Sequence, residues 1–151
     1  MKKLYFTLIA LLFSFVAMAQ VQSARGLIVR NLTNCPQYYE VFGDELCRCG
    51  TKYTSKVITI TPGAIHNYPT SVSLGGSYPT GIAKGIVGAR IPNGPMTCGS
   101  VPVGVVGHMA CGYPLTYTYM SISPACTSCA VTKATWIEAQ NCEQIAQLIF
   151  Q

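Results

Sequence analysis

The sequence predicts an all-β fold: a disulfide-stapled two-sheet β-sandwich of about eight or nine short strands after a cleaved signal peptide. Short runs rich in β-branched and aromatic residues alternate with Gly, Pro, Asn and Ser turn residues along most of the chain. Eight cysteines, an even number, all follow an N-terminal segment of export type.

That segment comes first. Lys2 and Lys3 give a positive start, residues 4–16 are apolar, and Ala17-Met18-Ala19 offers the small-residue pattern of a cleavage site before Gln20. A membrane anchor is the rival reading, but a spanning helix needs about 20 apolar residues and this run is shorter. The division expected is therefore residues 1–19 as signal peptide and residues 20–151 as a single secreted β domain. No cysteine follows the cleavage site to carry a lipid, and no later run is long and apolar enough to span, so the mature form is expected without a membrane span, secreted or periplasmic. Eight basic residues against five acids leave the mature chain near +3. The basic residues form no run, which argues against nucleic acid.

The strands follow in order. Residues 26–32 (GLIVRNL) open the series, and Asn34-Cys35-Pro36 turns the chain into residues 37–43 (QYYEVFG). Residues 54–61 (TSKVITIT) alternate most cleanly and end at Pro62-Gly63. Further strands are expected at residues 70–74, 82–91, 101–108, 115–122 and 131–139. Residues 144–150 fit either helical spacing or alternation, and the strand is preferred. Glycine and proline crowd residues 75–112, so segments there should be short and tightly turned.

In an exported chain, Cys35, Cys47, Cys49, Cys98, Cys111, Cys126, Cys129 and Cys142 are disulfide candidates. Loop-closure entropy favours local partners: Cys98 with Cys111, Cys142 with Cys126 or Cys129, and Cys35 with Cys47 or Cys49. A tetrathiolate zinc site from Cys47, Cys49, Cys126 and Cys129 is the alternative, but it leaves four thiols unpaired in an oxidising space. Cys126-Thr127-Ser128-Cys129 also has redox-motif spacing, though it lies in a loop-like stretch rather than at a helix start. No metal or cofactor is expected.

Chemistry-bearing residues are few. The mature acids are Glu40, Asp44, Glu45, Glu138 and Glu143, and the histidines are His66 and His108. There is no HExxH, no GxSxG and no phosphate-binding glycine loop. His108 lies three residues before Cys111, a spacing that a cysteine nucleophile could use if the thiol were free. Asn31-Leu32-Thr33 matches a glycosylation sequon. Eight mature tyrosines and Trp136 supply rings suited to interfaces or sugar faces. Tyr117 and Tyr119 must share one side of a strand, so Tyr117, Tyr119 and Trp136 are the candidate binding residues, with core packing as the alternative role.

Val29-Arg30-Asn31-Leu32-Thr33-Asn34-Cys35-Pro36 resembles the N-terminal strand and NCP turn of thaumatin-like proteins. That family carries about twice as many cysteines and an acidic cleft, so its activity is not carried over. The whole chain resembles small exported β-sandwich proteins of Bacteroidota, rich in Cys and Tyr. This implies a compartment and an architecture but no activity. The function expected is non-catalytic: binding a protein or glycan at the cell surface, or an accessory or structural role. Two alternatives are a small secreted hydrolase using His66 or His108, and an exported toxin or inhibitor.

Overall fold

A computed structural model describes residues 21–99 and 101–151; the expected signal peptide and the cleavage junction before Gln20 lie outside the described residues. Ten strands run β1 (Gly26–Asn31), β2 (Gln37–Asp44), β3 (Tyr53–Thr54), β4 (Ile58–Ile60), β5 (Ile65–Tyr68), β6 (Gly85–Pro92), β7 (Val103–Gly107), β8 (Thr116–Ile122), β9 (Ser128–Ile137) and β10 (Ile145–Phe150). They form two sheets. One has the order β5-β1-β10-β9-β8; the other runs β3-β2-β6-β7, with β4 also on β2. All pairings are antiparallel except β1 with β10, which run parallel with Leu27 beside Ala146 and Val29 beside Leu148. No described helix is long and apolar enough to cross a membrane.

The core lies between the sheets and follows from alternation. Leu27 and Val29 of β1, Ala146, Leu148 and Phe150 of β10, and Ala134 and Trp136 of β9 point inward from one sheet. They meet Tyr39 and Val41 of β2, Ile86, Ala89 and Ile91 of β6, and Val106 of β7 from the other. Fully burying each Val, Leu or Ile side chain stabilises by about 1.5–3 kcal/mol. β10 is a strand, as its alternation suggested: Ala146, Leu148 and Phe150 are buried while Ile145 is exposed.

Two expected strands differ. Residues 54–61 are split into β3 and β4, because Ser55 interrupts the ladder. Its side-chain oxygen accepts the Val41 amide at 2.9 Å and its own amide donates to the Val41 carbonyl at 2.8 Å. Residues 70–74 are not a strand but a 3-10 turn, Ser71–Leu74; the strand lies earlier, in β5, and Pro69 ends it. Two more 3-10 turns, Met96–Cys98 and Met109–Cys111, lie in the glycine-rich stretch.

All eight cysteines are paired: Cys35–Cys129, Cys47–Cys142, Cys49–Cys111 and Cys98–Cys126. Each local pairing expected from loop entropy is corrected. Three bridges span 62 to 95 residues, because the sheets bring distant strands together before sequence proximity counts. Cys35–Cys129, for instance, ties the turn after β1 to β9. The cysteines of the zinc alternative belong to four different bridges.

The turn between β1 and β2 is a buried polar knot. Asn31 is fully buried; its amide nitrogen donates to the carbonyls of Cys35 (2.8 Å) and Ile60 (3.1 Å), and its oxygen accepts the Thr33 amide (3.0 Å). The asparagine of the sequon is therefore a structural residue. Gln37 extends the knot, its carbonyl oxygen accepting the Tyr119 hydroxyl at 2.6 Å.

Candidate functional site

The two sheets differ in how their outer faces are finished. On β2, Phe42 points away from the core yet is buried, because Tyr113 packs on it edge-to-face at 5.0 Å and the Arg90 guanidinium lies 5.6 Å from its ring centre. Arg90 in turn pairs with Glu40 at 2.9 Å. A ring and an ion pair cover the middle of that outer face, while Val103 of β7, which also faces outward, is 50% exposed.

Among the described residues, the outer face of β5-β1-β10-β9-β8 has no such cover. Alternation that buries Leu27, Val29, Ala134, Trp136 and Leu148 turns Ile28, Ile137, Ile145 and Ile149 outward. Val131 is 67% exposed and Ile65 60%. Cross-strand register gathers these side chains. Ile65 lies beside Arg30, Arg30 beside Ile149, and Ile149 beside Thr135 in one row, while Val131 lies beside Met120 in another. The face is also one-signed. None of its five strands contains an Asp or Glu, and its charged outward side chains are Arg30 and Lys133. An exposed aliphatic surface with two cations set within it fits a partner surface that is apolar with an acid among its apolar groups.

The candidate binding residues read from the sequence lie elsewhere. Tyr117 and Tyr119 do share one side of β8 and stack, with ring centres 5.2 Å apart and planes at 13°. That side faces the core. Tyr119 is 6% exposed and Trp136 1%, and Tyr117 is half-buried against Gly104, with its hydroxyl donating to the Asn93 side chain at 3.1 Å. The three rings fill the sandwich rather than form a surface platform. The residues missed were aliphatic, and their signal was partial: alternation puts Ile145 with Ile149, and Val131 with Ile137, on one shared side of their strands but does not say that this side faces solvent.

The histidines form two separate clusters. His66 reaches inward from edge strand β5, its Nδ1 2.7 Å from the Tyr39 hydroxyl, which is also 3.0 Å from the Tyr68 hydroxyl. Burial lowers the His66 pKa and raises that of Tyr39 far above the ordinary phenol range, so this cluster is neutral at physiological pH. His108 is fully buried, with Nδ1 3.6 Å from a Glu138 carboxylate oxygen that also accepts the Met109 amide at 2.6 Å. Cys111 is bonded to Cys49 and offers no thiolate to His108.

A third cluster sits on the surface between β2 and β6. Glu45 accepts from Lys84 (2.6 Å), Lys52 (3.4 Å) and the Tyr53 hydroxyl (2.8 Å), and both ammonium groups lie over the Tyr53 ring. Lys84 first, then Tyr53 and Lys52, hold the Glu45 carboxyl down to about 2. One carboxylate faces two ammonium groups, so the cluster keeps a net positive charge. Among the described residues no group of three or more His, Cys, Asp or Glu side chains gathers as a metal site.

No protein-family model, curated protein or solved structure matches this chain.

Proposed function

We propose that this chain is a non-catalytic exported protein that binds a protein partner at the cell envelope, or serves there as an accessory component, through the outer face of β5-β1-β10-β9-β8. The observation that carries this reading is the contrast between the two sheets: Tyr113, Arg90 and Glu40 cover the middle of one outer face, where Val103 stays exposed at the β7 border, whereas the other leaves Ile65, Val131, Ile137 and Ile145 in solvent with no acid on their strands. Leaving such a patch bare is costly for solubility unless something docks on it. Four disulfides support an oxidising compartment, in keeping with export after removal of residues 1–19.

A protein partner is favoured over a glycan by the direction of the rings. Sugar faces are met by exposed aromatic planes, and here Tyr119 and Trp136 are turned into the core. The test is site-specific photocrosslinking in the exporting cell, with the reactive group at Ile65 or Ile145 and a control at Glu40. The expected result is one crosslinked protein species from the two face positions, absent from the control and lost when Ile137→Lys is added. Equal crosslinking from Glu40, or none from the face, overturns this reading.

A further inference from the structure

One border of the five-stranded sheet is open in a way that its other borders are not. The direction of the β8 backbone follows from hydrogen bonds two strands away. The Lys133 amide and carbonyl both bond Gln151, in line with β10, so the amides of the flanking residues Thr132 and Ala134 point toward β8. Their partners are Tyr119 and Tyr117, and Trp136 donates to the Leu115 carbonyl in the same sense. Thr116, Thr118 and Met120 therefore turn their amides and carbonyls away from the sheet. Among the described residues this row is occupied at its two ends, where the Pro114 carbonyl accepts the Gly107 amide at 3.0 Å and the Ile122 amide donates to the Asn93 carbonyl at 2.7 Å, and it is unpaired between them.

Proteins guard exposed strand edges with shortness, proline or charge. β5, the opposite border, has four residues and runs into Pro69. In the other sheet, β3 and β4 have two and three residues. β7 follows Pro102, and its Gly107 amide is taken by the Pro114 carbonyl at 3.0 Å. β8 has seven residues, TYTYMSI, with no charge and no proline.

We propose that β8 pairs with β8 of a second copy of this chain, antiparallel about Thr118, so that two five-stranded sheets become one continuous sheet. The outward row is self-complementary in that register. Thr118 meets Thr118 at the axis and Thr116 meets Met120 on either side, giving about six main-chain hydrogen bonds. Thr–Thr and Thr–Met neighbours on the outer side are compatible across strands. The strand has no charge with which to select a foreign peptide, and a copy of itself meets the same neutral row. Like-charge repulsion is also weak there. The nearest cation, Lys133, pairs with Thr118 from the inner side, so the two copies of Lys133 lie three strand spacings apart, about 14 Å, beyond the ~8 Å screening length of physiological salt. A strand-edge contact is small in area, so the dimer forms reversibly with concentration. The pairing uses the edge of the sheet and is independent of which protein docks on its face.

Sedimentation of the oxidised mature chain from micromolar to millimolar concentration tests this. The wild-type chain should move from monomer toward dimer. Thr118→Lys, which sets two ammonium groups against each other at the axis, and Thr118→Pro, which removes the central outward donor, should each weaken association at least tenfold. Asn67→Lys on β5 should leave it unchanged. Hydrogen exchange supplies a second reading that needs no variant: the Thr116, Thr118 and Met120 amides should slow as concentration rises, while those of Tyr117 and Tyr119 are slow throughout. A chain that stays monomeric at millimolar concentration overturns the proposal, as does a dimer that Thr118→Lys does not weaken, or a monomer that instead captures an unrelated extended peptide on β8. None of these outcomes alters the crosslinking expected at Ile65 and Ile145.

Discussion

The imidazole of His108 stands edge-on to the indole of Trp136, with ring centres 5.7 Å apart and planes at 74°. The pair closes the core near the end of β7, where His108 is fully buried and donates its own backbone amide to the Val87 carbonyl at 2.9 Å. Burial lowers the His108 pKa below its ordinary value, and the nearby Glu138 carboxylate opposes that shift without reversing it.

A histidine kept neutral in the fold binds its proton more readily once unfolded. Its contribution to stability is complete above about pH 6.5 and is lost as pH falls from there toward the depressed folded value. Urea midpoints measured from pH 8 to pH 5 should therefore fall, with His66 adding an effect of the same sign. His108→Phe keeps a ring against Trp136 and should flatten the slope. An unchanged slope in that variant would assign the acid sensitivity to other groups.

Glu45 acts at lower pH. Its carboxyl is held down to about 2 by Lys84, Tyr53 and Lys52, so its contribution is present above about pH 4.5 and disappears as pH falls through 2. Glu45→Gln should remove that portion of the acid unfolding curve, lowering stability by a constant amount above pH 5 and leaving the slope there unchanged. The difference between wild type and variant should shrink in 1 M salt, because these side chains are partly exposed.

Tyr119 donates to Gln37 at 2.6 Å inside the sandwich. Tyr119→Phe preserves the stack on Tyr117 but leaves the Gln37 oxygen buried without that donor, which should cost about 1–3 kcal/mol in denaturant unfolding. Loss of stability with an intact near-ultraviolet dichroism signal is the expected pair of results. A neutral substitution would mean that water reaches Gln37.

Peptide mapping without reduction should recover Cys35–Cys129, Cys47–Cys142, Cys49–Cys111 and Cys98–Cys126. Removing Cys47–Cys142, separated by 95 residues, should destabilise more than removing Cys98–Cys126, separated by 28. Chain entropy puts the two near 4.7 and 3.6 kcal/mol in isolation, and the surviving bridges narrow that gap by shortening the open loop. Paired Cys→Ala variants compared by equilibrium unfolding measure the order.

Much of the fold was legible because alternation is a local signal. β8, β9 and β10 each bury every second residue, and the runs at residues 115–122, 131–139 and 144–150 showed that period. The break at Ser55 was not legible, since a serine oxygen replacing a carbonyl depends on where Val41 lies. Nor was the disulfide map, which depends on sheet order more than on spacing. Of the candidate site, the Tyr117 and Tyr119 stack was readable as a shared side, but period two does not say which side faces the core. Aromatic rings drew attention because they serve both core and interface; Val131 and Ile145 went unnoticed as ordinary strand residues, and Ile65 fell between two expected strands.

The parallel pairing of β1 with β10 also fixes an order of events. A chain made from its N-terminus delivers β1 first, yet β1 lies between β10 and the short β5, so its main neighbour emerges more than a hundred residues later. The β2-β6-β7 sheet and the β8-β9 hairpin are built from nearer contacts and can assemble earlier. Such long separation between touching residues slows folding. Until β10 arrives, Leu27 and Val29 wait beside an empty lane in the middle of the sheet, and a product truncated before β10 keeps that lane open.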